Sequence, residues 1–271
     1  MVEHLADAFK PTSPLEDLSS LPADTTKLTI GPKTRSVELV SKFPKLTHLW
    51  TWAPPPELME QIASIPSLEF LVVSGVQKLP AKFKLPRLHR LALINLGKLK
   101  SLEGLQSLSS LKNLRVTNAK LLLDYSPIGA LRKLERLEIC GEQYYDKIKS
   151  DSLDWIEALT ELRDVFMTFS AVNAGSGRAL TGLKKLEKLF LNSKALSREE
   201  FAYLAGTMTK TECERFAGYV VLSGAKCRKC NKDYYVSMTG RGGGMLCPSC
   251  DRVKFTKLQT SFEAAVKAAC K

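Results

Sequence analysis

Four cysteines near the C-terminal end of the chain have the spacing of a metal site. Cys227 and Cys230 form one Cys-x-x-Cys pair, and Cys247 and Cys250 form a second pair after sixteen intervening residues. Each pair suits a tight turn that directs both sulfurs at one ion, and two pairs supply the four thiolates typical of structural Zn²⁺ sites. Four thiolates complete a tetrahedron and leave no open position for a substrate. The spacing therefore predicts a structural zinc rather than a catalytic one.

Other chemistries share this spacing. The four sulfurs also suit an iron site of the rubredoxin type, a pair of redox dithiols or, in an exported protein, disulfide bonds. The chain has seven cysteines, and its first residues contain no basic segment followed by an apolar run. We therefore expect a reduced, cytoplasmic setting, in which clustered cysteines indicate a metal more than disulfides. No stretch of the sequence approaches the ~20 apolar residues of a membrane span.

The residues between the two cysteine pairs indicate the element that positions them. Residues 234–238 alternate like a strand, residues 239–244 contain four glycines and predict a turn, and Met245 and Leu246 begin a return strand. The pattern resembles a zinc ribbon over about residues 224–252. A helix is predicted after it, because Leu258, Phe262 and Val266 recur at a spacing of four, and we expect this helix to pack on the ribbon.

The tail carries more than half of the net charge of +12, since residues 225–271 hold ten Lys or Arg against three Asp or Glu. Basic residues lie close to the cysteines, with tyrosines between them: Lys226, Arg228, Lys229, Lys232, Arg241, Tyr234 and Tyr235. This combination could hold the phosphates and stack the bases of a nucleic acid. The same lysines could instead offset the formal charge of a four-thiolate zinc site, so both interpretations stay open.

Upstream of the tail, leucines recur with a step of three that then shortens to two. A step of three suits a tight helical turn, and a step of two suits a short strand. Eight copies of this pattern follow one another at spacings of 20 to 28 residues, led by Thr25, Leu46, Leu68, Leu88, Leu111, Leu134, Leu162 and Leu186. An amphipathic helical bundle would not reset its pattern at this interval, so the chain is predicted to be built from repeats.

The strand part of each repeat carries a characteristic pair of residues. The pairs are Leu28/Ile30, Leu49/Thr51, Leu71/Val73, Leu91/Leu93, Leu114/Val116, Leu137/Ile139, Val165/Met167 and Leu189/Leu191. The pattern resembles that of leucine-rich-repeat proteins, most closely the short repeats of the phosphatase-regulator type or of related bacterial proteins. The resemblance implies an α/β solenoid with parallel strands on its concave side and short helices or 3₁₀ turns on its convex side.

The sequence departs from this family at one position. The family places an asparagine two positions beyond the strand, whereas this chain holds Pro54, Val76, Leu96, Ala119, Glu142, Ser170 and Lys194 there. The turns after the strands must therefore satisfy their backbone groups in another way.

The repeats and the tail define four predicted parts. Residues 1–24 form an N-terminal cap, residues 25–195 the solenoid of about eight repeats, residues 196–223 a C-terminal cap and connection, and residues 224–271 the basic zinc ribbon with its helix. The longest interval between repeats contains a polar insertion at 141–151. Such an insertion becomes a loop on one face, which either contributes to a binding site or is merely tolerated.

Side chains that flank the buried pair of each strand should point to the concave side, because successive residues of a strand face opposite ways. These include aromatic residues at both ends and arginines between them: His48, Trp50, Trp52, Phe70, Val72, Arg90, Arg115, Arg136, Phe166 and Phe190. Trp, Phe and Arg are enriched at protein interfaces. We therefore expect the concave side to bind a partner protein with an acidic patch, unless the N-terminal segment, the tail or a second copy covers the aromatic residues.

Catalysis has little support in the sequence. The three histidines stand far apart, and neither Cys140 nor Cys213 has a histidine nearby. We expect a non-enzymatic adaptor, regulator or immunity-type inhibitor without a membrane or small-molecule ligand. The alternative is a nucleic-acid-associated protein that binds phosphates through the ribbon.

Overall fold

The computed structural model describes residues 13–141, 148–173 and 175–270. Residues 1–12 of the predicted N-terminal cap and residues 142–147 of the predicted insertion therefore lie outside the described residues. Within the described ranges, no helix is both long and apolar enough to cross a membrane.

One parallel sheet runs the length of the repeat region, with one strand from each of the eight predicted repeats. The strands of the chain are β1 (Lys27–Ile30), β2 (His48–Trp52), β3 (Phe70–Ser74), β4 (Arg90–Ile94), β5 (Asn113–Thr117), β6 (Arg136–Cys140), β7 (Lys149–Ser150), β8 (Asp164–Met167), β9 (Ala171–Val172), β10 (Lys188–Leu191), β11 (Tyr219–Val221), β12 (Val236–Met238) and β13 (Met245–Leu246). The sheet has the order β1-β2-β3-β4-β5-β6-β8-β10; β7 pairs with β9, and β11-β12-β13 form an antiparallel sheet in the tail.

Short helical segments connect the strands of the solenoid, as the repeat pattern predicts. The α-helices are α1 (Pro56–Ile62), α2 (Arg198–Thr207) and α3 (Arg252–Ala269), and the 3₁₀ segments are Leu18–Ser20, Val37–Lys42, Leu105–Ser107, Ser126–Ala130, Asp154–Ala158, Ser176–Gly182 and Glu214–Ala217. Helix α2 begins after its N-cap residue Ser197, and the side chains of Ser197 and Glu200 form a capping box.

The predicted apolar positions form one continuous core between the sheet and the helical segments. Seven of the eight leading residues, from Leu46 to Leu186, are at most 3% exposed, and the apolar strand residues are buried with them. Thr51, the polar member of its pair, is also fully buried. Each repeat has an apolar side that only its neighbours can cover, so burial is shared along the stack.

The turns after the first strands contain a left-handed residue directly after the strand, one position before the slot in which the family has asparagine. Ala53, Gly75, Asn95 and Asn118 each directly follow a strand and have φ between 42° and 71°. The backbone N–H of Ala53 donates to the carbonyl of Ser74 at 2.7 Å, and that of Gly75 donates to the carbonyl of Ile94 at 2.8 Å. The bend is thus closed by main-chain hydrogen bonds to the next repeat.

The tail packs against the last repeats through α3. Phe262 is 2% exposed and belongs to the same core as the repeat leucines, with Ala265 and Val266 beside it. The two helices approach closely at Gly206 of α2, where an added Cβ would lie 2.7 Å from the carbonyl oxygen of Val266. The predicted packing of this helix on the ribbon also occurs, through Phe255 and Leu258. Helix α3 therefore joins the ribbon to the end of the solenoid.

Candidate protein-binding face and candidate metal centre

The strand register aligns the predicted concave residues in two rows across the sheet, which we call the concave face. One row is His48, Phe70, Arg90, Asn113, Arg136, Asp164 and Lys188; the other is Trp50, Val72, Ala92, Arg115, Glu138, Phe166 and Phe190. Nine of the ten residues predicted to bind a partner lie in these two rows, and Trp52 lies on the same side of β2, two residues beyond Trp50, so we include it in the concave face. Their binding role stays a prediction.

Several of these side chains are less exposed than the sequence suggests. Trp50, Phe70, Val72 and Ala92 form a second apolar cluster, separate from the main core, in which Trp50 is the most exposed at 7%. Trp52 and Ile94 are half-buried against it. Strands in register bring side chains of neighbouring repeats into contact, so large residues bury one another on this face too.

Two of the three predicted arginines have acidic partners within the chain. Arg115 Nε lies 3.3 Å from Glu138 Oε1, and Arg136 Nη2 lies 2.9 Å from Asp164 Oδ2. Each acid lies in the repeat after its arginine, at the equivalent strand position. An alignment of the repeats by strand position therefore predicts both pairs from the sequence.

The C-terminal end of the concave face contains a cavity of about 230 Å³. The rings of Phe166 and Phe190 line it and stack with centroids 4.4 Å apart, and the segment that contains Cys213 and Arg215 also lines it. Burial raises the pKa of Cys213 to about 11 and lowers the pKa of Arg215. Burial also raises the pKa of Cys140, to about 12. These two thiols stay protonated at neutral pH, which disfavours a nucleophilic role.

The four predicted metal ligands come together at one point of the tail. Their sulfur atoms all lie within 4.8 Å of one another, with 3.8 Å between Cys227 and Cys250 and 3.7 Å between Cys230 and Cys247. Four sulfurs at ~2.3 Å from a central ion would be separated by about 3.8 Å, whereas a disulfide needs about 2.05 Å. The donor set and its spacing thus fit a tetrahedral metal ion.

The local backbone geometry favours Cys227 as a metal ligand. The turn at Cys227 closes through a hydrogen bond from Asn231 N–H to the Cys227 carbonyl, and Asn231 is left-handed with φ 57°. Backbone N–H groups of Cys230 and Lys229 point at the Cys227 sulfur and lower its pKa to about 7. Asp251 supports the second pair, since its Oδ2 accepts the N–H of Cys247 at 3.1 Å.

The five candidate phosphate-binding residues have different surroundings. Lys229 lies 3.1 Å from Asp251, Lys226 lies 3.8 Å from Asp233, and Lys232 donates to Ser249 Oγ at 3.4 Å. Arg228 is exposed. The phosphate-binding role of these four residues stays a prediction.

Arg241 has a contact that the sequence interpretation missed. Its guanidinium donates to the carbonyls of Val172 and Ala195, the latter at 2.9 Å. Its backbone N–H donates to Leu196 at 3.1 Å, and that of Gly240 donates to Ser193 at 3.0 Å. The ribbon turn is therefore fastened to the last repeats through Arg241, and the phosphate-binding role of Arg241 also stays a prediction. The sequence pattern does not predict this contact, because Ala195 and Val172 lie 46 and 69 residues before Arg241.

Comparison with known proteins supports the fold. No family model matches the sequence, and no curated protein matches it. An internalin (inlF) from Listeria monocytogenes superposes with a TM-score of 0.57 at 19% identity, over 70% of this chain and 54% of that chain. The leucine-rich repeat domain of the type III effector XopL gives a TM-score of 0.49 at 21% identity, over 66% and 65%. The chain spans about half the length of the internalin, and the superposition on that protein shows that the repeat region has the leucine-rich-repeat fold.

Proposed function

We propose that this chain is a non-enzymatic protein-binding module that recognises a partner protein across its concave face. The observation that carries the proposal is the set of large aromatic side chains on the side of the sheet that the main core does not use. Half-buried Trp52, Phe166 and Phe190 on such a face are typical anchors of protein interfaces. Adaptor, regulator and inhibitor roles all follow from recognition of this kind.

The four cysteines, in this proposal, hold a structural Zn²⁺. The sulfur spacing supports a tetrahedral ion, and four thiolates leave no open coordination position. The ion would keep the ribbon folded, and the ribbon in turn fastens to the last repeats through Arg241. We propose residues 25–195 as the solenoid, residues 196–223 as its C-terminal cap and connection, and residues 224–271 as the zinc ribbon with its helix.

Affinity purification of the tagged full-length chain from its native lysate tests the proposal, with and without nuclease. A concave-face variant, Trp52→Ala with Phe166→Ala, is compared with a tail variant, Arg228→Glu with Lys232→Glu. We expect one stoichiometric protein that survives nuclease, is lost with the concave-face variant and is retained with the tail variant. If the co-purified protein is lost after nuclease treatment and with the tail variant, but is retained with the concave-face variant, the result would instead support nucleic-acid association.

A further inference from the structure

Arg90 differs from the other two arginines of the concave face in its surroundings. Arg115 and Arg136 face an acid in the next repeat, whereas the register neighbours of Arg90 are Phe70 and Asn113, which carry no charge. Among the residues that the structure describes, no carboxylate forms an ion pair with Arg90. Among the described residues, Arg90 is therefore the one of these three arginines that has no ion-pair partner.

The Arg90 side chain is also incompletely hydrogen-bonded. Its Nε atom is buried and has no hydrogen-bond partner, although the residue as a whole is only half-buried. A buried donor without an acceptor is destabilising, and a charged donor more so. The terminal nitrogens of the guanidinium are not among the buried atoms, so a ligand can accept hydrogen bonds from them, whereas the buried Nε stays out of its reach.

The charge around Arg90 selects the sign of that ligand. Lys27 and His89 lie near His48 at the same end of the row, and Glu69 is the acid among them. Burial lowers the pKa of His48 first, and Lys27, His89 and Arg90 lower it further against the opposing effect of Glu69. This end of the concave face therefore favours an anion.

Apolar surface farther along the strands indicates what accompanies the anion. Ile94 is the last residue of β4, roughly 13 Å beyond Arg90 along the strand, and Trp52 ends β2 two strands away. Both are half-buried against the apolar cluster. A small free anion would not cover this apolar surface. A protein segment can present a carboxylate and apolar side chains together.

We infer that Arg90 anchors an acidic segment of the partner protein, with an Asp or Glu carboxylate accepting hydrogen bonds from the guanidinium and neighbouring apolar side chains packing on Trp52 and Ile94. The inference rests on the proposed function and names the group that the concave face recognises. Arg115 and Arg136 are paired within the chain, so Arg90 is the arginine that the inference assigns to the acid of the partner. The partner-binding roles of Arg115 and Arg136 stay predictions.

A random peptide library displayed on phage and selected on the full-length chain provides the probe. Selected peptides are synthesised, and their affinities are measured for the wild type, Arg90→Gln and Arg90→Glu. Arg87→Glu is the matched control, since Arg87 is exposed, belongs to the same repeat and lies before the strand. We expect a fixed Asp or Glu in the peptides and a loss of about 10- to 100-fold with Arg90→Gln, the range of a hydrogen bond to a charged group.

A charge swap makes the test independent of simple unfolding. Arg90→Glu should bind a peptide in which the fixed acid is replaced by Lys better than it binds the parent peptide. Selected peptides that bind the concave face but contain no fixed acid would overturn the inference and leave the proposed function standing. The same holds if Arg87→Glu lowers the affinity of the peptides as much as the Arg90 substitutions do. If the double variant Trp52→Ala with Phe166→Ala binds the selected peptides with unchanged affinity, or if the selection enriches no peptide, the proposed function itself is contradicted.

Discussion

Arg115 and Glu138 lie opposite each other in the middle of the concave face, and their side chains are only 17% and 8% exposed. A charge buried to this degree is stable only beside its partner, because little water reaches it. Arg115→Met should therefore lower the free energy of unfolding by about 2 kcal/mol, measured by urea denaturation.

The double variant Arg115→Met with Glu138→Gln tests that reason directly. Removing both charges eliminates the buried unpaired carboxylate, so at least half of the lost stability should return. Equal loss in the single and double variants would show that the arginine acts through packing and not through its charge.

Arg241 is the residue that fastens the ribbon turn to the solenoid. Arg241→Met removes the hydrogen bonds to the carbonyls of Val172 and Ala195 and should weaken docking of the tail by about 2 kcal/mol. Amide hydrogen exchange in the tail sheet should become roughly 30-fold faster. Arg228→Met is the control, since Arg228 is exposed, and it should leave exchange unchanged. Equal exchange in the two variants would contradict the fastening role.

Helix α3 provides a test at the scale of an element. Phe262→Ala leaves a cavity in the shared core and should lower the free energy of unfolding by about 3–5 kcal/mol, measured by chemical denaturation. Val253→Ala on the same helix should change it by less than about 0.5 kcal/mol, because Val253 is 85% exposed. Similar effects of the two substitutions would show that α3 does not belong to the core.

Elements with a repeating or local pattern could be predicted from the sequence, whereas bends that are fixed by contacts distant in sequence could not. Each strand of the solenoid buries the same slots as its neighbours, so a step of three followed by two is enough to locate it. The apolar residues of the segment Glu214–Leu222 predict a single strand. The structure divides it into a 3₁₀ turn and the short strand β11, with left-handed Gly218 between them. Gly218 lies against Phe262, so a contact distant in sequence fixes this bend.

The candidate sites show the same division. Local spacing was enough to find Cys227, Cys230, Cys247 and Cys250, because turn geometry alone brings each pair together. It could not show that Phe70 and Val72 are buried or that Arg241 reaches the solenoid. Those properties depend on side chains from other parts of the chain.

The metal should affect the whole molecule, since the ribbon is fastened to the solenoid and α3 enters its core. We expect one zinc per chain by elemental analysis, and none with Cys247→Ser. Chelation should lower the urea midpoint of the full chain, because binding of a structural zinc is part of the folding free energy. An unchanged midpoint after complete metal removal would show that the tail folds without the ion, and iron in the purified protein would contradict zinc.

Recognition through the concave face is most directly tested by site-specific photo-crosslinking of the complex with its purified partner. A photoreactive phenylalanine analogue replaces Asn113, in the middle of the concave face, or Gln106, which is exposed on the convex 3₁₀ segment of the same repeat region. We predict a crosslinked product from position 113 and none from position 106. A product from position 106 alone, with binding intact in both proteins, would contradict recognition by the concave face.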